Sequence, residues 1–147
     1  MRDTRIRGAV ADDAADIAHT MRAALSSFDW MPMLHTPGED LAFIGNHVLP
    51  NEQVLVAEAD GKVIGFIAVR DEWVNQLYLQ PDATGQGVGQ RLLDEATFGM
   101  DVVKLHCFQA NAGARRFYER HGFVAESFGD GRNNEESLPD ILYVRRR

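Results

Sequence analysis

Residues 76–93 read Gln76-Leu-Tyr-Leu-Gln-Pro-Asp-Ala-Thr-Gly-Gln-Gly-Val-Gly-Gln-Arg-Leu-Leu93, and the order of features in this run decides the fold. Leu77 to Leu79 form an apolar run that predicts the end of a β-strand. Pro81 and Asp82 break it, and Gly85, Gly87 and Gly89 lie in a tight loop. From Val88 the apolar positions recur at helical spacing, with Leu92, Leu93 and Ala96 on one side. Strand, glycine loop and helix start in that order present backbone N–H groups to the outside. The first N–H groups of a helix have no partner within it and lie at the positive end of its dipole, so phosphate is their natural ligand. Standing alone, the stretch reads equally well as a plain turn.

Two familiar phosphate motifs are excluded by the residues themselves. The dinucleotide fingerprint GxGxxG needs glycine at position 90 or 92, and these hold Gln90 and Leu92. The P-loop needs Gly-Lys followed by Ser or Thr, and no such run occurs. Length and composition narrow the class further. A chain of 147 residues, 45% hydrophobic and 25% charged, suits one globular domain that needs neither disulfide nor metal to hold a core. The net charge of −7 argues against a general binder of nucleic acid or acidic membrane, so neither partner is expected. The single cysteine, Cys107, cannot form an internal disulfide, and the five scattered histidines make no zinc spacing. Met1 to Ile6 hold no apolar core of signal-peptide length, and the expected location is cytoplasmic.

Working outward, Ile6 to Val10 predict a first strand. Ile17, Met21 and Leu25 recur every four residues behind Asp12 and Asp13, which predicts a helix over 13–25. Thr36-Pro37-Gly38-Glu39 is a capping-box signature, and its helix is expected to turn Leu41, Ile44 and Val48 inward and stop before Pro50. Val54 to Ala57 and Lys62 to Val69 flank Asp60-Gly61, a hairpin signal, and Glu72 to Leu79 form a third strand. The helix from Val88 ends near Gly99, and Val102 to Phe108 read as a strand. Asn111 caps a helix over 112–121 that Gly122 closes, and strands at 123–128 and 141–144 complete the chain.

The run from Leu77 to Leu93 resembles the acyl-CoA-binding motif of the GNAT N-acetyltransferases. Asn111-Ala-Gly-Ala-Arg-Arg-Phe-Tyr-Glu-Arg-His-Gly-Phe123 is similar to that family's other hallmark, Asn-x-x-Ala-x-x-Phe-Tyr-x-x-x-Gly-Phe. Both motifs stand in the family's order, one helix and one strand apart. The resemblance implies an α+β fold, with a mixed, mostly antiparallel sheet of six to seven strands flanked by about four helices. It also implies a single acyl-CoA N-acyltransferase domain over 1–147. Acetyl-CoA is the implied cosubstrate, without a metal. Leu77, Tyr78 and Leu79 would pair with the pantetheine amides; Thr84, Gly85, Gln86, Gly87, Val88, Gly89 and Gln90 would grip the pyrophosphate; Asn111 and Phe117 would complete the coenzyme site. Thr84 departs from the Arg or Gln usual at the first loop position.

The implied reaction is direct transfer of acetyl to a primary amine in a ternary complex, the acceptor being a small molecule or a peptide. A phenol can protonate a departing thiolate, and the resemblance puts Tyr118 where the family's general acid sits. The backbone N–H of Leu77 would stabilise the thioester oxygen. Glu72 and Asn75, on opposite sides of the pleat, are the strand residues considered for the amine side, and a water chain is the alternative to a base. Phe28 and Trp30, with Met31, Met33 and the polar loop over 129–136, could flank the acceptor or simply roof the core. A non-catalytic acyl-CoA sensor and a nucleotide-binding regulator are the rival classes. The amine and the oligomeric state, a homodimer included, stay open.

Overall fold

The computed structural model describes residues 3–147; Met1 and Arg2, which belong to the N-terminal stretch without an apolar core, lie outside the described residues. Seven strands form one sheet in the order β1-β2-β3-β4-β5-β7-β6: β1 Thr4–Gly8, β2 Gln53–Ala59, β3 Lys62–Arg70, β4 Trp73–Leu79, β5 Val102–Phe108, β6 Val124–Gly129 and β7 Asp140–Arg146. β1–β2, β2–β3, β5–β7 and β6–β7 are antiparallel, and β4–β5 is parallel through the register pair Trp73↔Lys104. A parallel pair needs a crossover, here supplied by helix α4, Val88–Ala96. This is the mixed, mostly antiparallel sheet that the family resemblance implies. The chain divides into two compact units: the described residues up to Arg70 with Asn75–Phe98, and Asp71–Val74 with Gly99–Arg147.

In the first unit, helix α1 (Ala14–Ser26) buries Ile17, Ala18 and Met21 against Val54, Val56, Phe66 and Ala68 of β2 and β3. β3 is buried on both faces from Val63 to Val69, as a central strand must be. The β2–β3 turn has positive φ at Asp60 (54°) and Gly61 (74°), the left-handed pair of a two-residue hairpin. Helix α2, Pro37–Phe43, opens with the expected capping box: Thr36 Oγ1 accepts from Glu39 N at 3.1 Å, and Thr36 N donates to Glu39 Oε1 at 2.9 Å.

Two expectations for this helix are corrected. It does not stop before Pro50: a π-helical turn, Ile44–Val48, leads into a short α3, Leu49–Asn51, that contains the proline. Proline lacks an N–H and crowds the carbonyl four residues back, and a widened turn accommodates it. The helical stretch is therefore continuous from Pro37 to Asn51, and with α1, α4 and α5 (Ala112–Arg120) it makes four helical bodies among the described residues. Leu41 is not inward; it is 44% exposed, and the buried stripe runs Asp40, Ile44, Val48 at four-residue spacing. Asp40 is tolerated there because Arg22 Nη1 donates to its Oδ2 at 2.9 Å.

A second buried carboxylate gives a testable pH dependence. Asp13 accepts from both terminal nitrogens of Arg7 (2.9 and 3.0 Å) and from Val10 N (2.8 Å). Hydrogen bonding from Arg7 holds its carboxyl below the usual range, against the opposing effect of burial. A depressed folded pKa contributes stability above the unfolded value of about 4, lost as pH falls through the folded one. Asp13→Asn is expected to lower stability at pH 7 by about 1–3 kcal/mol. It should also flatten the loss of stability below about pH 4 relative to wild type. Denaturant melts at a series of pH values test this, and parallel curves for the two proteins would refute it.

Candidate active site

The glycine loop leaves β4 through a 3₁₀ turn, Pro81–Ala83, anchored by fully buried Ala83. Gln80 N donates to Ile64 O (2.8 Å) and its side chain to Thr20 Oγ1 (3.1 Å), fixing the strand end against β3 and α1. Thr84 Oγ1 donates to Pro81 O at 3.0 Å, and Gln86 Nε2 to Asp82 O at 3.0 Å, so both polar side chains brace the loop from within. Gly85 (φ 76°) and Gly87 (φ 81°) are left-handed, a conformation glycine adopts without strain. A Cβ at either would project into open space. Gly87 is the N-cap of α4 and brings no side chain to its first-turn amides, while Val88, Leu92 and Leu93 anchor the helix in the core. An uncapped helix N-terminus entered by a left-handed glycine loop suits an anion.

Elsewhere in the first unit, Tyr78 packs its ring 5.9 Å from that of Phe66. A Cβ on Gly65 would lie 2.5 Å from Leu79 Cδ2, so glycine at that point of β3 admits the close approach of β4. Asn75 Nδ2 donates to Glu52 Oε1 at 2.8 Å, and Leu77 is half-buried. Phe28 and Trp30 stack at 4.8 Å and are half-buried in the connector after α1. A cavity of about 490 Å³ in this unit is lined by Asp16, His19, Asp60, Lys62, Gln80 and Asp82 among others; none of the sequence-predicted site residues lines it, and its carboxylates do not suit an anion.

The second unit holds the remaining candidates. Asn111 Oδ1 accepts from Ala114 N at 3.1 Å, the cap that starts α5. Gly122 (φ 89°) closes the helix. Tyr118 is 9% exposed, its ring edge-on to Phe117 (5.3 Å) and Phe123 (5.5 Å) and 6.3 Å from Tyr143. Glu72 Oε1 lies 2.8 Å from Lys104 Nζ. Burial pushes the Cys107 thiol up to about 11, so at neutral pH it is a protonated core group, not a nucleophile. The loop over 130–139 is cross-braced: Asn134 bonds both N and O of Leu138, and Gln109 Nε2 donates to the carbonyls of Gly129 and Asp140.

Sequence reasoning missed a polar cluster under α5. Tyr143, fully buried on β7, donates to Glu119 Oε2 at 2.6 Å, with the Arg115 guanidinium near enough to act on it electrostatically. Burial first, then the bond to Glu119, raises its pKa. Arg115 and Glu119 at i and i+4 on one helix face are the only sequence signal for it. The stack of Trp73 on His106, at 5.3 Å and 14°, was equally invisible.

With this geometry established, comparison with known proteins identifies the class. Residues 50–125 match the acetyltransferase (GNAT) domain, and the chain belongs to that family. An uncharacterised N-acetyltransferase of Archaeoglobus fulgidus is 31% identical over 81 residues, 44% of this chain and 55% of that protein. The peptidyl-lysine N-acetyltransferase YiaC of Escherichia coli is 30% identical over 76 residues, 51% of this chain and 52% of its own. The chain thus spans about half the length of these curated relatives. Among solved structures, YncA of Salmonella typhimurium, determined with its cofactor acetyl-CoA, superposes with a TM-score of 0.75 at 22% identity, over 98% of this chain and 94% of that one, which shows a shared fold. Among the described residues no helix is long and apolar enough to cross a membrane, and no cluster of three or more His, Cys, Asp or Glu could hold a metal ion.

Proposed function

We propose that this chain is an acetyl-CoA-dependent N-acetyltransferase that passes acetyl directly to a primary amine in a ternary complex, as one domain over 1–147. The observation that carries the reading is the left-handed Gly85–Gly87 loop opening onto α4, inside the stretch that matches the family. Open space beside both glycines leaves room for a pyrophosphate at the helix amides. In this reading residues 84–90 hold the pyrophosphate, and Leu77, Tyr78 and Leu79 offer backbone groups to the pantetheine arm as an added strand would. Asn111 and Phe117 complete the coenzyme contacts. The N–H of Leu77 stabilises the thioester oxygen, and the Tyr118 phenol protonates the departing thiolate. Phe28 and Trp30 contact the acceptor. One buried, unpaired cysteine agrees with a cytoplasmic location.

The relative YiaC is named for peptidyl-lysine, so a lysine side chain is one acceptor to try. The test follows free-thiol release from acetyl-CoA with four amines: spermidine, tryptamine, a dipeptide with a free N-terminus, and an N-terminally blocked lysine peptide. Turnover of any one supports the reading. Binding of acetyl-CoA without turnover of any identifies a sensor instead, and tighter binding of ATP than of coenzyme A identifies a nucleotide regulator.

A further inference from the structure

Acetyl transfer gives the departing thiolate a proton donor in Tyr118 but leaves the acceptor amine's proton without a destination. Within the second unit, β5 alternates: Val103, Leu105 and Cys107 are buried, while His106 is exposed. The buried set faces α5. Cys107 lies within the electrostatic reach of Arg115 and Glu119, and Tyr143, paired with Leu105, bonds Glu119 and packs near Tyr118. Successive strand residues point to opposite faces, so His106 projects from the side of β5 away from Tyr118.

Its surroundings are built, not incidental. Trp73, opposite Lys104 in the β4–β5 register, lays its indole nearly parallel to the His106 imidazole. Lys104 Nζ sits 5.7 Å from the centre of the same indole and 2.8 Å from Glu72 Oε1, while Lys104 N donates to Glu72 O. The series Glu72, Lys104, Trp73, His106 thus fixes the plane of an imidazole that remains open to solvent. The other charged groups on this side are Asp140 and Arg146 of β7 and Glu126 of β6, the last paired with Arg146; Leu142, directly opposite His106, is apolar.

We propose that His106 is the general base that accepts the acceptor amine's proton, with Trp73 as its positioning residue, a role that rests on the acetyl-transfer reading of the chain. The amine nitrogen bonds the acyl carbon and the carbon–sulfur bond breaks. The proton shed by nitrogen goes to the imidazole, and the thiolate takes the Tyr118 phenol proton. Nothing is oxidised or reduced. Imidazole is the side chain whose ordinary titration, near about pH 6.5, suits proton transfer at neutrality. His106 on β5 and Tyr118 on α5 lie on opposite sides of that strand, so the base meets the nucleophile and the acid the leaving group from different directions. Glu72, the strand carboxylate considered from sequence, is engaged by Lys104 and acts one step back in the support of the ring.

The test uses the full chain, acetyl-CoA and the panel amine turned over fastest, with kcat/KM for the amine followed across pH. His106→Gln should lower kcat about a hundredfold, leave acetyl-CoA binding within about twofold, and remove the acid limb of the rate profile. Added imidazole should restore part of the rate to His106→Ala. Trp73→Leu should lower kcat by about tenfold with the KM for acetyl-CoA unchanged. A His106→Gln enzyme that keeps the wild-type rate, or loses rate while keeping the acid limb, overturns the proposal. Failure of imidazole rescue does so as well. If wild type turns over no amine, the acetyl-transfer reading itself fails and this falls with it; an active wild type with an indifferent His106 overturns the base assignment alone.

Discussion

Gly87→Glu is expected to abolish acetyl-CoA binding, by about a thousandfold. Position 87 is the N-cap of α4 with φ 81° and open space where a side chain would project, so a carboxylate there occupies the volume assigned to the pyrophosphate. Two like charges about 4 Å apart at an effective dielectric near 20 repel by about 4 kcal/mol, which is that factor. The fold should survive. A non-glycine residue in the left-handed region costs about 1–2 kcal/mol, partly offset by a negative charge at a helix N-terminus. Gly87→Ala separates the two effects, since it carries the strain without the charge and should bind within about tenfold of wild type. Isothermal titration of both variants with acetyl-CoA decides the matter. Normal binding by Gly87→Glu would show that the loop is a plain turn.

The second large effect is catalytic. Tyr118→Phe should lower kcat by about a hundredfold and leave acetyl-CoA affinity unchanged. The ring is edge-on to Phe117 and Phe123 and largely buried, and phenylalanine keeps those ring contacts while removing the hydroxyl. Single-turnover rates with the preferred amine, set beside titration of acetyl-CoA, separate chemistry from binding. An unchanged rate would remove Tyr118 as the acid. A loss of affinity equal to the loss of rate would make its hydroxyl a binding group instead.

The capping box at Thr36 and Glu39, the left-handed pair Asp60-Gly61, the cap by Asn111 and the closure by Gly122 were all legible in the sequence, because each is settled within a few residues of chain. The helix beyond Ile44 was not. A proline reads as a stop, and nothing local announces that the preceding turn widens to carry it. The rotation of that helix was hidden for a related reason. Leu41 looks like core and Asp40 like surface until Arg22, eighteen residues earlier, supplies the partner that makes burying Asp40 tolerable.

The site divides along the same line. The glycine turn and the Asn111 cap were legible from local pattern, while Tyr118 and the roles proposed for all three came from resemblance to a family. Tyr143 with Glu119, and Trp73 with His106 and Lys104, join residues from elements that are distant in sequence. The sequence by itself determined the order of elements, the caps and turns between them, and the glycine loop that begins at Gly85. Those features follow from φ preferences and from hydrogen bonds between near neighbours. Only the tertiary structure decided that β7 lies between β5 and β6, that Asp40 is buried in place of Leu41, and that His106 is laid flat against Trp73. Those choices depend on which strands exchange hydrogen bonds and which charges find partners on other elements, and a linear pattern of residue types carries neither.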